Sequence, residues 1–220
     1  MDWSADGWRS AFRIELRVQA IGFASRGWPV VPGTFPLDSG WGGGGDLEHT
    51  GPKPVFSNWE DRSDHVATSA EDAASPWNDQ PYSLLVATGS AVEAVEADAE
   101  LGRKAASALR SLGGPVPIVS TPEGRWFFLV SGGRPLYREL ADTGRIRLHG
   151  EGSWVPMPPT TFHRGVAHWR VHPEVCGWHL PSNELVQDAF CLGGGLGDSA
   201  DDEDAVRPAR EVVDLLTLVR

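Results

Sequence analysis

Two acidic residues spaced two apart, Glu96 and Asp98, close a stretch with the partly alternating polarity of a strand. A strand turns every second side chain to the same face, so both carboxylates point one way. Two hard oxygen ligands converging at a strand end can hold Mg²⁺ or Mn²⁺, and such an ion can bridge the phosphates of a nucleotide. Solvated strand ends also carry such pairs, so the surroundings have to decide. A second group, His163, His168, His172, Cys176 and His179, has the ligand types of a zinc site. Its spacing matches no finger pattern and Pro173 interrupts it, which favours separate structural roles. The run Gly42-Gly43-Gly44-Gly45 lacks the Gly-Lys-Ser/Thr ending and the strand-to-helix setting of a phosphate loop, and reads as part of a flexible insertion over about 33–50. There is no Gly-x-Ser-x-Gly elbow, Cys-x-x-Cys pair or His-Glu-x-x-His helix, so hydrolase and zinc-protease readings have no foothold.

Charge narrows the choice further. The net charge of -11 opposes unaided binding to a phosphate backbone, because that affinity comes largely from Lys and Arg displacing counterions. Any nucleic-acid contact therefore needs locally concentrated basic residues. Arg125, Arg134, Arg138, Arg145, Arg147, Arg164 and Arg170 supply such a concentration, either as a solvated face or as a face for phosphates. The acidic cluster Asp198, Asp201, Asp202, Glu203 and Asp204 is an intramolecular competitor for it. The ten tryptophans read mainly as packing rather than as stacking platforms for bases. Two unpatterned cysteines, no apolar run near the ~20 residues of a membrane span and no signal-peptide order at the N-terminus give the expectation of a cytoplasmic protein without membrane contact.

The elements that carry these residues follow from periodicity. Trp8, Phe12, Leu16, Ala20 and Phe23 predict a helix over 7–26, capped by Ser4 or Asp6 and stopped by Gly27. A short edge strand at 28–32 and a short helix at 68–78 come next. Strands are predicted at 83–88 and 91–98, the latter a second strand or a bulged extension of the first. A helix over 101–112 ends at Gly113-Gly114. Further strands are predicted at 116–120, 125–131, 145–149, 153–157 and 166–172, with a helical turn at 136–141. Ser182 can cap a helix reaching Cys191. This order describes an α+β domain over 1–192 on a mixed or antiparallel sheet. A Gly/Asp-rich linker is expected over 193–204, followed by a C-terminal helix over 205–220 that either folds back or serves a protein partner's groove.

Several segments fall in a telling order. Gly27-Trp28-Pro29-Val30, Gly51-Pro52-Lys53-Pro54 with Trp59, Ala67-Thr68 and Trp77, then Ala87-Thr88-Gly89 precede Glu96-Ala97-Asp98. Ser120-Thr121-Pro122-Glu123-Gly124 and the stretch from Gly150-Glu151-Gly152-Ser153 to Pro158-Pro159-Thr160 follow. Over about 20–187 this series resembles the N-terminal domain of bifunctional DNA primase/polymerases, the prim-pol branch of the archaeo-eukaryotic primase superfamily. The resemblance implies a primase fold with an RRM-like mixed β-sheet core flanked by helices. It also implies a two-metal site of Mg²⁺ or Mn²⁺ on Glu96 and Asp98, and a nucleotide-binding set of Lys53, Thr121, Arg125 and His149.

The departures from that pattern shape the functional expectation. The resemblance places a histidine after the Thr-Pro segment, and Trp126 takes about that place. It places a third catalytic aspartate three residues before Gly150, and Arg147 stands there. A guanidinium repels a divalent ion and attracts carboxylates, so Arg147 is expected to pair with both Glu96 and Asp98. Glu151 is the alternative source of a third carboxylate. Two functions stay open: an impaired prim-pol-like module acting by binding nucleotide, nucleic acid or a protein, and an active metal-dependent DNA primase/polymerase. A protein-interaction scaffold unrelated to nucleic acid is a third.

Overall fold

The computed structural model describes residues 5–44, 50–61 and 65–194. The expected C-terminal helix, nearly all of the expected linker and the expected cap at Ser4 lie outside the described residues. Helix α1, Ala5–Ala24, buries Leu16, Ala20 and Phe23 at the predicted spacing. It ends in a tight C-terminal turn: Gly27 adopts φ +78° and Trp28 N–H returns to the Phe23 carbonyl at 3.1 Å. Strands β1 (Val30–Gly33), β2 (Phe35–Pro36) and β3 (Trp41–Gly42) follow. Next come α2 (Ala70–Ala74), capped by the Ser69 hydroxyl, and strands β4 (Ser83–Thr88) and β5 (Glu93–Asp98).

Helix α3 (Ala99–Leu112) is strongly amphipathic and stops at Gly113 in the left-handed conformation. Strands β6 (Ile118–Ser120) and β7 (Arg125–Val130), helix α4 (Arg138–Ala141), and strands β8 (Ile146–His149) and β9 (Ser153–Pro156) follow. The last elements are β10 (Thr161–Phe162), β11 (Gly165–Val166), β12 (His168–Val171) and α5 (Asn183–Gly194). The fold is α+β, with every strand pair antiparallel.

A five-stranded sheet in the order β12-β6-β7-β5-β8 and a three-stranded sheet β1-β4-β9 form the frame. Alternation along β5 sorts the core. Val95 and Ala97, with Trp126, Phe128, Val130 and Ile146, face α3 and α5, where Leu101, Leu109, Val186 and Phe190 close the layer. Ala94, Val119, Phe127 and Leu129 face the opposite way, towards α1 and the three-stranded sheet. The second predicted strand is therefore no extension of the first. β4 and β5 belong to different sheets, and the chain changes sheet at Gly89.

The insertion is also more ordered than its glycines suggested. β2 and β3 form a hairpin, and Trp41 is only 1% exposed, with its ring 4.9 Å from that of His163. Burying the Trp41 indole in so short a hairpin offsets the entropy of its glycines. Residues 45–49 lie outside the described set. Among the described residues no helix is long and apolar enough to cross a membrane.

One turn joins the two sheets. Thr88 Oγ1 donates to the Gly150 carbonyl at 2.6 Å, and Gly89 sits at φ +117° with its pro-Cβ position 2.5 Å from Glu151 Cα. A side chain at Gly89 meets backbone that cannot swing away. Gly89→Ala is expected to cost about 2 kcal/mol or more, lowering Tm by roughly 4–8 °C. Gly124→Ala, at φ +77° with open space around it, is expected to cost only about 1 kcal/mol. Calorimetric or fluorescence melting of the two variants checks both values.

Candidate functional site

Register places the acid pair. β5 lies between β7 and β8, with Glu96 opposite Phe127 and Arg147, and Asp98 opposite Arg125. Every second residue of the three strands shares this face, so Arg125 is diagonal to Glu96 on one side and His149 is diagonal to it on the other. Arg125 Nε donates to Glu96 Oε1 at 2.6 Å, and His149 Nε2 lies 2.7 Å from Oε2. The other ring nitrogen, Nδ1, lies 2.8 Å from Ser153 Oγ. Asp98 divides its carboxylate differently. Oδ1 accepts the backbone N–H groups of Glu100 and Leu101 at 3.0 and 3.1 Å, capping α3, while Oδ2 accepts from Arg145 at 2.8 Å. Arg145 also reaches Glu100 at 3.2 Å.

These partners set the electrostatics. The Glu96 side chain is only 12% exposed, and burial works to raise its pKa; hydrogen bonds and charge from His149 and Arg125 outweigh it and pull the carboxyl from 4.5 down to about 2. Burial is likewise outweighed at Asp98, where the Leu101 N–H and Arg145 hold the carboxyl below its ordinary value.

A cavity of about 390 Å³ opens over this face. Lys53, Thr121, Arg125 and His149, the set the sequence assigned to nucleotide binding, all line it together with Glu96 and Arg147. The Thr121 hydroxyl also accepts the Arg125 N–H at 3.3 Å, which fixes the turn between β6 and β7. Phe127, Trp154 and Phe162 give the cavity an apolar side.

The donor set suits an anion better than a divalent cation. All four oxygens of Glu96 and Asp98 already accept from nitrogen donors, with Arg125 paired to Glu96 and Arg145 to Asp98 and Glu100; Lys53, Glu123 and Arg147 also line the cavity. Like unit charges at ~4 Å repel by about 4 kcal/mol at an effective dielectric near 20, and more for a divalent ion. Among the described residues no three His, Cys, Asp or Glu side chains group to hold a metal ion. The histidine-rich segment is dispersed in particular: His168 bonds Ser120 at 2.9 Å, His163 packs on Trp41, and His172 accepts from the Glu174 N–H. The thiols of Cys176 and Cys191 are pushed up by burial, away from the thiolate form.

Three sequence expectations are corrected by this geometry. Arg147 does stand directly across from Glu96, but its side chain is exposed towards the cavity and has no ion-pair partner among the described residues. The pairing is done by Arg125 and Arg145, because the diagonal neighbours of Glu96 and the neighbour of Asp98 reach the carboxylates first. Trp126 points to the other face, packed against Gly102 and under the Arg170 guanidinium at 5.1 Å, so Phe127 is the residue facing the cavity. Glu151 is exposed in the turn beside Gly89 and does not line the cavity. Arg145 and Ser153 were not singled out as site residues. Counting in twos from Arg147 finds the first, whereas the second needs the turn after β8.

The description bifunctional DNA primase/polymerase, N-terminal, belongs to a family whose sequence model matches residues 20–185, most of the chain. No curated protein matches it.

The two acids are expected to respond differently to substitution. Asp98→Asn keeps a good N-cap and is expected to stay within a few tenths of a kcal/mol of the parent, apart from the exposed pair with Arg145, while Asp98→Ala loses about 1 kcal/mol. Denaturant unfolding at neutral pH measures both. The folded carboxyl of Glu96 titrates below its unfolded value, so its stabilisation is complete above about pH 4.5 and is lost as pH falls towards 2. The stability gap between the parent and Glu96→Gln is therefore expected to shrink by up to about 3 kcal/mol over that window, read from unfolding curves at stepped pH.

Proposed function

This chain belongs to the bifunctional DNA primase/polymerase N-terminal family, and from that membership we propose that it is a prim-pol-type module whose cleft binds the phosphates of a nucleotide or nucleic acid without adding nucleotides by a two-metal reaction. Family membership supports a nucleotidyltransferase-like role connected with nucleic acid. One observation carries the finer reading: each oxygen of Glu96 and Asp98 is already held by Arg125, His149, Arg145 or the N-terminus of α3.

Guanidinium N–H groups meet phosphate oxygens in the same fork geometry that suits carboxylates. Among the described residues Arg147 has no ion-pair partner, although it lines the cavity with Glu96 and Glu123, and Arg125 commits only its Nε to Glu96. The cleft can thus neutralise a phosphate with protein cations where a polymerising site uses Mg²⁺ or Mn²⁺. The half-buried Trp154 on the cavity wall suits a base or sugar stacked beside that phosphate. The local cations also offset a net charge of -11 that would otherwise repel a polyanion.

Calorimetric titration with a nucleoside triphosphate tests the proposal. Binding is expected to be equal in EDTA and in Mn²⁺, and Arg147→Ala is expected to weaken it about tenfold, or ~1.4 kcal/mol. Binding that appears only with Mn²⁺, together with primer extension that disappears in Asp98→Ala, returns the chain to the active polymerases.

A further inference from the structure

A chain of hydrogen bonds runs along the wall of the same cleft. Glu96 Oε2, His149 Nε2, His149 Nδ1 and Ser153 Oγ follow one another at 2.7 and 2.8 Å across the ring. A carboxylate that takes a guanidinium N–H on one oxygen accepts on the other as well, so the proton facing it sits on Nε2. In the neutral ring Nδ1 is then the acceptor, and the Ser153 hydroxyl is its donor. The His149 side chain is 10% exposed and packs against the Phe127 ring at 5.6 Å, which fixes its plane. Ser153 is half-buried and lines the same cavity as Arg125 and Arg147. A hydroxyl held by an imidazole that a carboxylate orients is the arrangement that activates a serine, and it is recognised by geometry rather than by sequence position.

We propose that Ser153 is the nucleophile of a metal-independent phosphoester-cleaving centre, with His149 as its general base and Glu96 as the residue that positions the ring. The substrate class follows from the cations and rests on the phosphate-binding reading of the cleft. Arg125 and Arg147 line the same cavity as the serine, with Glu123 as a further carboxylate there, and can take the non-bridging oxygens of a phosphodiester, supplying charge stabilisation in the transition state. Ser153 Oγ bonds to phosphorus as its proton passes to His149 Nδ1. The bond from phosphorus to the leaving oxygen breaks with its electron pair on the side opposite Ser153, where that oxygen takes a proton from water while His149 releases its own to solvent. Water then attacks phosphorus from the opposite side as it loses a proton to solvent; the bond from phosphorus to Ser153 Oγ breaks with its electron pair, and Oγ takes a proton from solvent through His149 Nδ1, which restores the hydroxyl. Nothing is oxidised or reduced, and water is the sole co-reactant.

Bis(p-nitrophenyl) phosphate with the full chain in EDTA provides the test. A burst of p-nitrophenolate is expected, with the matching nitrophenylphosphoryl mass on the peptide that contains Ser153. Ser153→Ala, a small change at a half-buried position, is expected to melt like the parent and to lose both signals. His149→Gln, which keeps a donor towards Glu96, is expected to slow the burst by roughly 100-fold or more. Glu96→Gln is expected to lower kcat about tenfold or more while KM stays within about threefold, a split that a purely structural role does not give. No burst, release that survives Ser153→Ala, or release abolished by EDTA overturns the inference. Calorimetry with inorganic phosphate in EDTA separates the two levels: phosphate bound without a burst overturns the serine chemistry alone, and no phosphate bound overturns the cleft reading with it.

Discussion

The contact between Glu96 and its two nitrogen partners is the constraint around which the rest of this molecule is arranged. A carboxylate that is 12% exposed in the middle of a sheet has to be matched by charge and hydrogen bonds, because an unpaired buried ion is among the most damaging groups a fold can hold. Arg125 and His149 provide that match from the strands on either side. Their positions require β5 to lie between β7 and β8 in this register and no other. A one-residue slip of either partner strand sends its basic residue to the helix-covered face, where Val95, Ala97 and Phe128 leave no place for a charge.

The same constraint separates two jobs that the sequence had joined in one acid pair. Glu96 belongs to the cavity, while Asp98 belongs to the beginning of α3 as much as to the sheet. Short polar residues at a strand-to-helix junction satisfy the orphan N–H groups of the helix whether or not they also meet a ligand. An Asp there is therefore compatible with a site that has no use for a metal ligand. Arg125 and Arg145 pair with this acid couple before any ligand arrives.

Much of the frame was legible in the residues. The apolar spacing of α1 and α3, the glycines that stop them, and the runs that became β4, β7 and β9 are local signals, and local signals survive folding. The cleft was legible in outline, since Lys53, Thr121, Arg125 and His149 do meet in one cavity. What could not be read was which partner each charge chooses. That depends on strand order and on parity: Trp126 and Phe127 differ by one position, and only pairing with β5 reveals which of them looks into the cavity. The hairpin of β2 and β3 escaped because four consecutive glycines outweighed a single tryptophan in any local reading, although the tryptophan's burial decided the outcome. The hydrogen-bonded line from Glu96 to Ser153 escaped for a related reason, since no contiguous motif encodes a contact that spans two strands and a turn.

The sheet order has one more consequence. Among the described residues β8 pairs with β5 on one side and with no strand on the other, so it forms an outer margin of the five-stranded sheet. Such a margin presents free backbone donors and acceptors to any extended chain that drifts past, and proteins blunt it with brevity and charge. This strand is only four residues long and bears the exposed Arg147 at its centre. The guanidinium that faces the cavity therefore also sets a charge on this margin, which discourages strand-to-strand pairing.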